Sequence, residues 1–171
     1  WIIKYFRYVL RHKYYVWKKC FEFWLFRQWI VHDLSKFSYY ELVGYVRYWW
    51  LWLRDKKTQN IYDKWWLSHQ NKNKHHRQYW CLINDSDWKL KPIEMPKEYV
   101  EEMVCDWRWV GRYYNSDKDE EYKNDDFREV KNFYNKNKEN IVLENTSRKY
   151  LEYIIWLTKE NPYSEHPLMV L

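Results

Sequence analysis

Hydrophobic and polar positions follow helical spacing through most of the chain, and strict alternation of the two is rare. Apolar residues that recur every three to four positions line one face of an α-helix. In one segment, Val100, Met103, Val104 and Trp107 have the spacing of a buried helical stripe. The same period predicts helices over residues 2–10, 14–28, 61–72, 97–113, 127–138 and 147–160.

Local signals at the ends of these segments predict where helices begin. Ser38 and Glu41 form a Ser-x-x-Glu capping box, which predicts a helix that runs to about residue 54. Thr146 has the side chain of an N-cap for the last helix. Pro96 suits the first turn of the helix that follows it, and prolines mark 85–96 as a connector without regular structure.

These elements predict an all-α fold, a compact bundle of about six to eight helices in a single domain over residues 1–171. Strands have little support, because valine and isoleucine are scattered rather than alternating. The predicted parts are a core over 2–113, an acidic loop over 114–126, C-terminal helices over 127–160 and a tail over 161–171.

The composition excludes several classes of enzyme. The chain has 14 Trp and 18 Tyr, no alanine, and only the glycines Gly44 and Gly111. Gly-rich phosphate loops, dinucleotide fingerprints and Gly-x-Ser-x-Gly elbows need backbone that a side chain would obstruct, so none of them is present. Most of the aromatic rings are expected to pack in the core, and stacking on a nucleobase is the alternative.

Charge is uneven along the chain. Residues 1–91 hold 18 Lys and Arg against 7 Asp and Glu, whereas residues 92–171 hold 12 against 17. A basic half suits an anionic partner, either a phosphate-containing small molecule or a nucleic acid. The alternative is that these charges belong to solvated helix faces.

Cysteine spacing and hydropathy indicate the cellular compartment and whether the chain crosses a membrane. Cys20, Cys81 and Cys105 lie far apart and form no Cys-x-x-Cys pair, which predicts reduced thiols and a cytoplasmic protein. The apolar run over 42–53 is too short to span a bilayer and contains Arg47, so no membrane span is expected.

Histidines and aspartates form the strongest chemical pattern in the sequence. Imidazole nitrogens and carboxylate oxygens are the usual ligands of divalent metals, and separate helices of a bundle can supply them. The alternative is a buried network in which the same groups satisfy one another. His166, in the tail, is expected to be neither ligand nor catalyst. The candidate metal ligands are His12, His32, Asp33, His69, His75, His76 and Asp106.

Four of these candidates leave alternatives open. Arg11 and Lys13 flank His12, so an exposed basic turn is the competing interpretation there. His69 is either a ligand or a histidine on a helix face. Side chains of adjacent residues such as His75 and His76 point in different directions, so one of that pair alone would bind metal.

The order of a His, a His-Asp pair, further histidines and a late Asp is similar to that of HD-type phosphohydrolases. A closer resemblance is to a bacterial and phage family of domains whose function is unknown. The stretches that carry it are HDLSKFSYYE (32–41), NKHHRQYW (73–80), EMP (94–96) and EEMVCDW (101–107). The resemblance implies an HD-domain-like fold and a metal-dependent phosphohydrolase that acts on phosphomonoesters or phosphodiesters, nucleotides among them.

The resemblance also implies roles for particular residues. The ligands His32, Asp33, His75 or His76, and Asp106 would hold one divalent ion, or two if His12 and His69 join. The candidates are Mn, Fe, Co, Mg and Zn. Asp33 would orient or deprotonate the attacking water. Lys36 would hold a phosphate or the metal-bound hydroxide as a point charge, and the alternative is a solvent-facing lysine at a helix end. Arg77 and Arg47 could clamp a phosphate bidentately, and the alternative is that they are surface charges. The competing functions are a non-catalytic binding module for nucleic acid or protein, and a structural or designed helical protein that keeps the motif pattern.

Overall fold

Helices dominate the part of the chain that the structure, a computed structural model, describes: residues 2–50, 56–114 and 126–157. The all-α prediction is confirmed. The α-helices of these ranges are α1 Ile2–Glu22, α2 Phe26–Val31, α3 Tyr39–Tyr45, α4 Lys56–Lys72, α5 Lys97–Tyr114, α6 Asp126–Asn137 and α7 Asn145–Leu157. Short 3₁₀-helices cover Leu34–Phe37 and Arg77–Trp80, and a π-helix covers Val46–Trp50.

The first helix is continuous, so the prediction of two segments separated at Arg11-His12-Lys13 is wrong. Helix α1 runs through these residues, and its buried face carries Tyr5, Val9, His12 and Val16 at helical spacing. The pattern looked interrupted because a polar residue occupies an inward position. His12 is therefore buried, and the interpretation of an exposed basic turn is also wrong.

Helix α5 lies at the centre of the bundle and packs against α1, α6 and α7. Its predicted stripe is mostly correct, because Val100, Met103 and Val104 are buried and Trp107 is half-buried. These side chains pack into one hydrophobic core with residues of the neighbouring helices. Removal of this apolar surface from water stabilises the bundle and fixes α5 next to α1.

A small hairpin corrects the prediction of an unstructured connector over 85–96. Strand β1, Cys81–Ile83, pairs antiparallel with β2, Leu90–Pro92. At the turn, Trp88 has a left-handed φ of 56° and its N–H donates to the Asn84 carbonyl at 2.7 Å. Strands of three residues are too short to show a period of two, which is why the sequence pattern did not indicate them.

Helix starts were predicted with mixed success. The cap at Ser38 is confirmed, because its Oγ accepts the Glu41 N–H at 3.4 Å. The N-cap prediction for Thr146 is wrong, because α7 begins at Asn145 and the Glu144 carboxylate accepts the Thr146 N–H at 2.7 Å.

Several predictions fall on parts of the chain that are not described. They concern most of the acidic loop, the tail and the end of the helix expected to reach residue 54. Within the described residues, no helix combines the length and the apolar character needed to cross a membrane. Cys20, Cys81 and Cys105 are all free thiols.

Candidate metal centre

All seven side chains that the sequence suggested as metal ligands lie close together in the bundle. Helix α1 contributes one, the turn after α2 two, α4 one, the segment after α4 two, and α5 one. The buried ones are His12, His32, Asp33, His69 and His75, and the half-buried ones are His76 and Asp106.

A tight turn brings the His-Asp pair into the interior. Helix α2 ends at Val31, and Asp33 adopts a left-handed conformation with φ of 53° before the 3₁₀-helix Leu34–Phe37 begins. Aspartate tolerates this region better than most residues, but the conformation still costs about 1 kcal/mol or more. The turn is further held by the Lys36 N–H, which donates to the Asp33 carbonyl at 3.0 Å.

The segment after α4 is held against this turn by one amide. Asn73 donates from Nδ2 to Ser35 Oγ and to the His69 carbonyl, both at 2.8 Å. These two bonds fix the chain just before His75 and His76, so that both rings face the turn.

His12, His32, Asp33 and Asp106 form the first group, named subsite A. His12 Nε2 lies 2.9 Å from Asp33 Oδ2, 3.1 Å from His32 Nε2 and 3.3 Å from Asp106 Oδ1. One donor atom from each of the four residues lies within 4.8 Å of the others. Donor atoms that share a cation at about 2.0–2.2 Å lie roughly 3 Å apart, so this set fits a divalent ion.

Asp33, His69, His75 and His76 form the second group, named subsite B. Asp33 Oδ1 lies 3.4 Å from His69 Nε2 and 3.5 Å from His75 Nε2, longer than good hydrogen bonds. Among the described residues, Asp33 Oδ1, His75 Nε2 and His76 Nε2 are buried atoms without a hydrogen-bond partner. Buried polar atoms are normally satisfied, so these three also fit a cation.

Two glutamates that sequence reasoning did not assign to the site hold the outer nitrogens of three histidines. Glu102 Oε1 accepts from His32 Nδ1 at 2.7 Å and from His75 Nδ1 at 3.1 Å. Glu41 Oε2 accepts from His69 Nδ1 at 2.9 Å, so its side chain serves the site in place of the predicted capping box. The sequence held one signal for Glu102, since it lies four residues before Asp106, on the same helix face.

Comparison with models of protein families matches residues 2–156 to a family of unknown function, DUF5662. The chain belongs to this family. The match includes every residue of subsites A and B. No curated protein and no solved structure matches the chain. The prediction of a family of unknown function is confirmed, whereas the resemblance to HD-type phosphohydrolases stays a prediction.

In this DUF5662 protein, a buried ion pair holds the central carboxylate charged. Lys36 Nζ contacts Asp33 Oδ2, and the Lys36 side chain is almost fully buried rather than facing solvent. Burial opposes ionisation, but Lys36 and the neighbouring histidines hold the pKa of Asp33 well below its usual range. The pKa of Lys36 is raised in turn by Asp33, against the effect of burial. Asp33 is therefore an anion at neutral pH, as a metal ligand must be.

The histidines of the centre differ in protonation. Burial and the Lys36 charge lower the pKa of His12 to about 4, so its imidazole is neutral. Burial opposes charge on His75, but the Glu102 hydrogen bond and the Asp33 charge raise its pKa to about 9. Burial and the neighbouring His75 hold the pKa of His76 well below its usual range. A cation at subsite B would have to displace the proton of His75.

A cavity of about 380 Å³ borders the centre. Its lining includes His75, His76 and Asp106, so it reaches both subsites. Arg77 lines the same cavity, whereas Arg47 is exposed and is not among the lining residues. The lining also includes the aromatic residues Trp66, Trp107 and Phe133.

Proposed function

We propose that this protein is a metal-dependent phosphohydrolase whose centre holds two divalent cations. The observation that carries the proposal is the position of Asp33. Its Oδ2 faces His12, and its Oδ1 faces His69 and His75 without a hydrogen-bond partner among the described residues. One carboxylate shared between two nitrogen-rich groups is suited to bridge two cations.

Each subsite has a mixed set of donors. His12, His32, Asp33 and Asp106 would hold the cation of subsite A, and Asp33, His69, His75 and His76 that of subsite B. Nitrogen and oxygen donors in this mixture suit Mn, Fe, Co, Mg and Zn. When bound, divalent ions polarise phosphoryl oxygens and make a water acidic enough to be a nucleophile near neutral pH.

The protein's own residues have separate roles in this chemistry. Asp33 would orient the attacking water, and Lys36 would neutralise charge that builds on the phosphoryl oxygens. Arg77, on the cavity wall, binds the phosphate through two parallel hydrogen bonds. The excess of basic residues over 1–91 favours an anionic substrate.

The cavity favours a small phosphate ester as the substrate. Its volume of about 380 Å³ lies in the range of small-molecule sites. Trp66, Trp107 and Phe133 offer ring surface to an organic group, while the phosphate would lie near Asp106. A mononucleotide has this combination of an anionic end and a planar ring.

The test compares wild-type protein with His32→Ala and Asp33→Asn, and His166→Ala is the matched control because no role at the centre is predicted for His166. After chelation and reloading with Mn²⁺, the wild type and the control should bind about two equivalents. Both site variants should lose metal, and phosphatase or phosphodiesterase activity should fall by about a hundredfold or more.

Two results would count against this function. One is unchanged metal content and activity in both site variants. The other is salt-dependent retention on DNA or RNA with no turnover of any ester, which would favour a binding module.

A further inference from the structure

Glu102 connects the two subsites through a single oxygen atom. Its Oε1 lies 2.7 Å from Nδ1 of His32, a residue of subsite A, and 3.1 Å from Nδ1 of His75, a residue of subsite B. The carboxylate is buried, and the His32 and His75 ring centroids are only 4.4 Å apart. One acceptor therefore holds two adjacent imidazoles that serve different subsites.

His32, His75 and Glu102 also have donor atoms within 4.8 Å of one another, so a cation held by these three is the alternative, but the contact distances favour hydrogen bonds. Ligand atoms at about 2.1 Å from one cation lie roughly 3.0–3.4 Å apart, and the 2.7 Å contact with His32 is shorter. Each ring also has its other nitrogen turned to the centre. His32 Nε2 lies 3.5 Å from Asp33 Oδ2, and His75 Nε2 lies 3.5 Å from Asp33 Oδ1.

We propose that Glu102 is a shared positioning residue that fixes the orientation of one histidine ligand in each subsite. By accepting both Nδ1–H groups, it leaves both Nε2 lone pairs directed at Asp33 and makes them better donors. The inference rests on the two-cation centre proposed above. It adds that the two subsites depend on one carboxylate, so that loss of Glu102 weakens both together.

Glu41 provides a matched comparison. It accepts the Nδ1–H of His69 at 2.9 Å, and the other His69 nitrogen faces Asp33 Oδ1. Glu41 is as deeply buried as Glu102 but contacts a histidine of subsite B alone among the described ligands. Loss of Glu41 should therefore weaken one subsite and leave the other.

The experiment titrates metal-free protein with Mn²⁺ and follows affinity and stoichiometry by calorimetry and by electron paramagnetic resonance. Glu102→Ala should weaken binding at both subsites by about 10- to 100-fold. Glu102→Gln keeps an oxygen acceptor and should recover part of that loss. Glu41→Ala should weaken one subsite only, and the signal of a magnetically coupled Mn²⁺ pair should decrease in both Ala variants.

Glu101→Gln controls for the loss of a buried glutamate charge, because Glu101 bonds Tyr150 on another side of α5. It should bind Mn²⁺ as the wild type does. The inference is overturned if Glu102→Ala, folded by circular dichroism, weakens one subsite or neither. If Glu102→Ala does not fold, the Mn²⁺ affinities of Glu102→Gln and Glu41→Gln are compared instead. The inference is overturned if both variants weaken the same subsite or subsites.

The readout is metal binding, so the outcome is separable from that of the proposed function. A wild type that binds two coupled Mn²⁺ ions but hydrolyses no phosphate ester would contradict the phosphohydrolase and leave the role of Glu102 intact. A wild type that binds only one ion would overturn the shared role.

Discussion

Histidine orientation decides the chemistry at the residue scale. An imidazole has two nitrogens on opposite edges, so a carboxylate that holds one of them directs the other. Glu102 and Glu41 hold the outer nitrogens of three histidines, whose inner nitrogens face Asp33. Burial of so many polar groups costs several kcal/mol unless they are paired, so the cluster is expected to serve binding rather than stability.

Lys36 offers a direct test of the proposed phosphate contact. Lys36→Met keeps most of the side-chain volume and removes the charge. We expect it to bind the same number of metal ions as the wild type, with weaker affinity because Asp33 loses the charge that lowers its pKa. At saturating metal, kcat/KM should fall by about 10²–10³, because charge on the phosphoryl oxygens is no longer neutralised. Lys89→Met, at an exposed position of the hairpin turn, is the control. A loss of metal without a separate loss of turnover would contradict this role.

Glu101 gives a pH prediction that is independent of metal. Burial raises its pKa from 4.5 to about 7. A carboxyl group with a raised folded-state pKa favours the folded state below its unfolded pKa, and this contribution is lost as pH rises through 7. From pH 4.5 to 8, the unfolding free energy of wild type should fall by about 2 to 3 kcal/mol relative to Glu101→Gln. Parallel pH profiles from urea denaturation would contradict the prediction.

At the element scale, the two glycines lie at close contacts between neighbouring helices. A Cβ at Gly44 in α3 would lie 2.8 Å from Trp65 Cβ in α4, and one at Gly111 in α5 would lie 2.6 Å from Glu129 Cβ in α6. Real Cβ atoms do not approach so closely, and these neighbours are attached directly to the backbone. In a chain filled with large rings, the glycines allow pairs of helices to pack.

Gly44→Ala should therefore destabilise the protein by about 1–3 kcal/mol, the usual cost of overpacking. This is opposite in sign to the helix propensity of alanine, which alone would stabilise α3 by up to about 1 kcal/mol. The unfolding free energy from urea denaturation is the measurement, and Lys64→Ala at an exposed position of α4 is the control. A Gly44→Ala variant as stable as wild type would show that α3 and α4 can separate at no cost.

At the scale of the whole molecule, metal binding and folding should be linked. The ligands come from α1, the turn after α2, α4 and the segment that follows it, and α5, so a cation would connect most of the bundle. An unfolded chain cannot hold these ligands together. A ligand that binds only the folded state raises its stability in proportion to the logarithm of ligand concentration.

Mn²⁺ at about 100 times its Kd should raise stability by about 2.7 kcal/mol for each occupied subsite, and Tm by roughly 5–10 °C per subsite for a chain of this size. Differential scanning calorimetry with and without chelator measures the shift. Asp33→Asn should abolish it, because Asp33 belongs to both subsites, whereas His166→Ala should keep it. Equal shifts in wild type and Asp33→Asn would show that the ion binds elsewhere.

The positions of most helices could be predicted from the sequence, because helical periodicity depends on residues close together in the chain. Neighbours three and four residues apart determine a helix face, and the predicted segments over 61–72, 97–113 and 127–138 correspond to α4, α5 and α6. The prediction failed where the pattern was too short, as in the hairpin, or where a polar residue faced inward, as at His12.

The sequence by itself determined which residue types were available for metal and in what order. Only the tertiary structure decided how they divide between two subsites and which nitrogen of each ring faces inward. The physical reason is distance along the chain: His32 is oriented by Glu102, 70 residues later, and His69 by Glu41, 28 residues earlier. Such partners leave no periodic pattern, because they meet only when α2 has packed against α5 and α3 against α4.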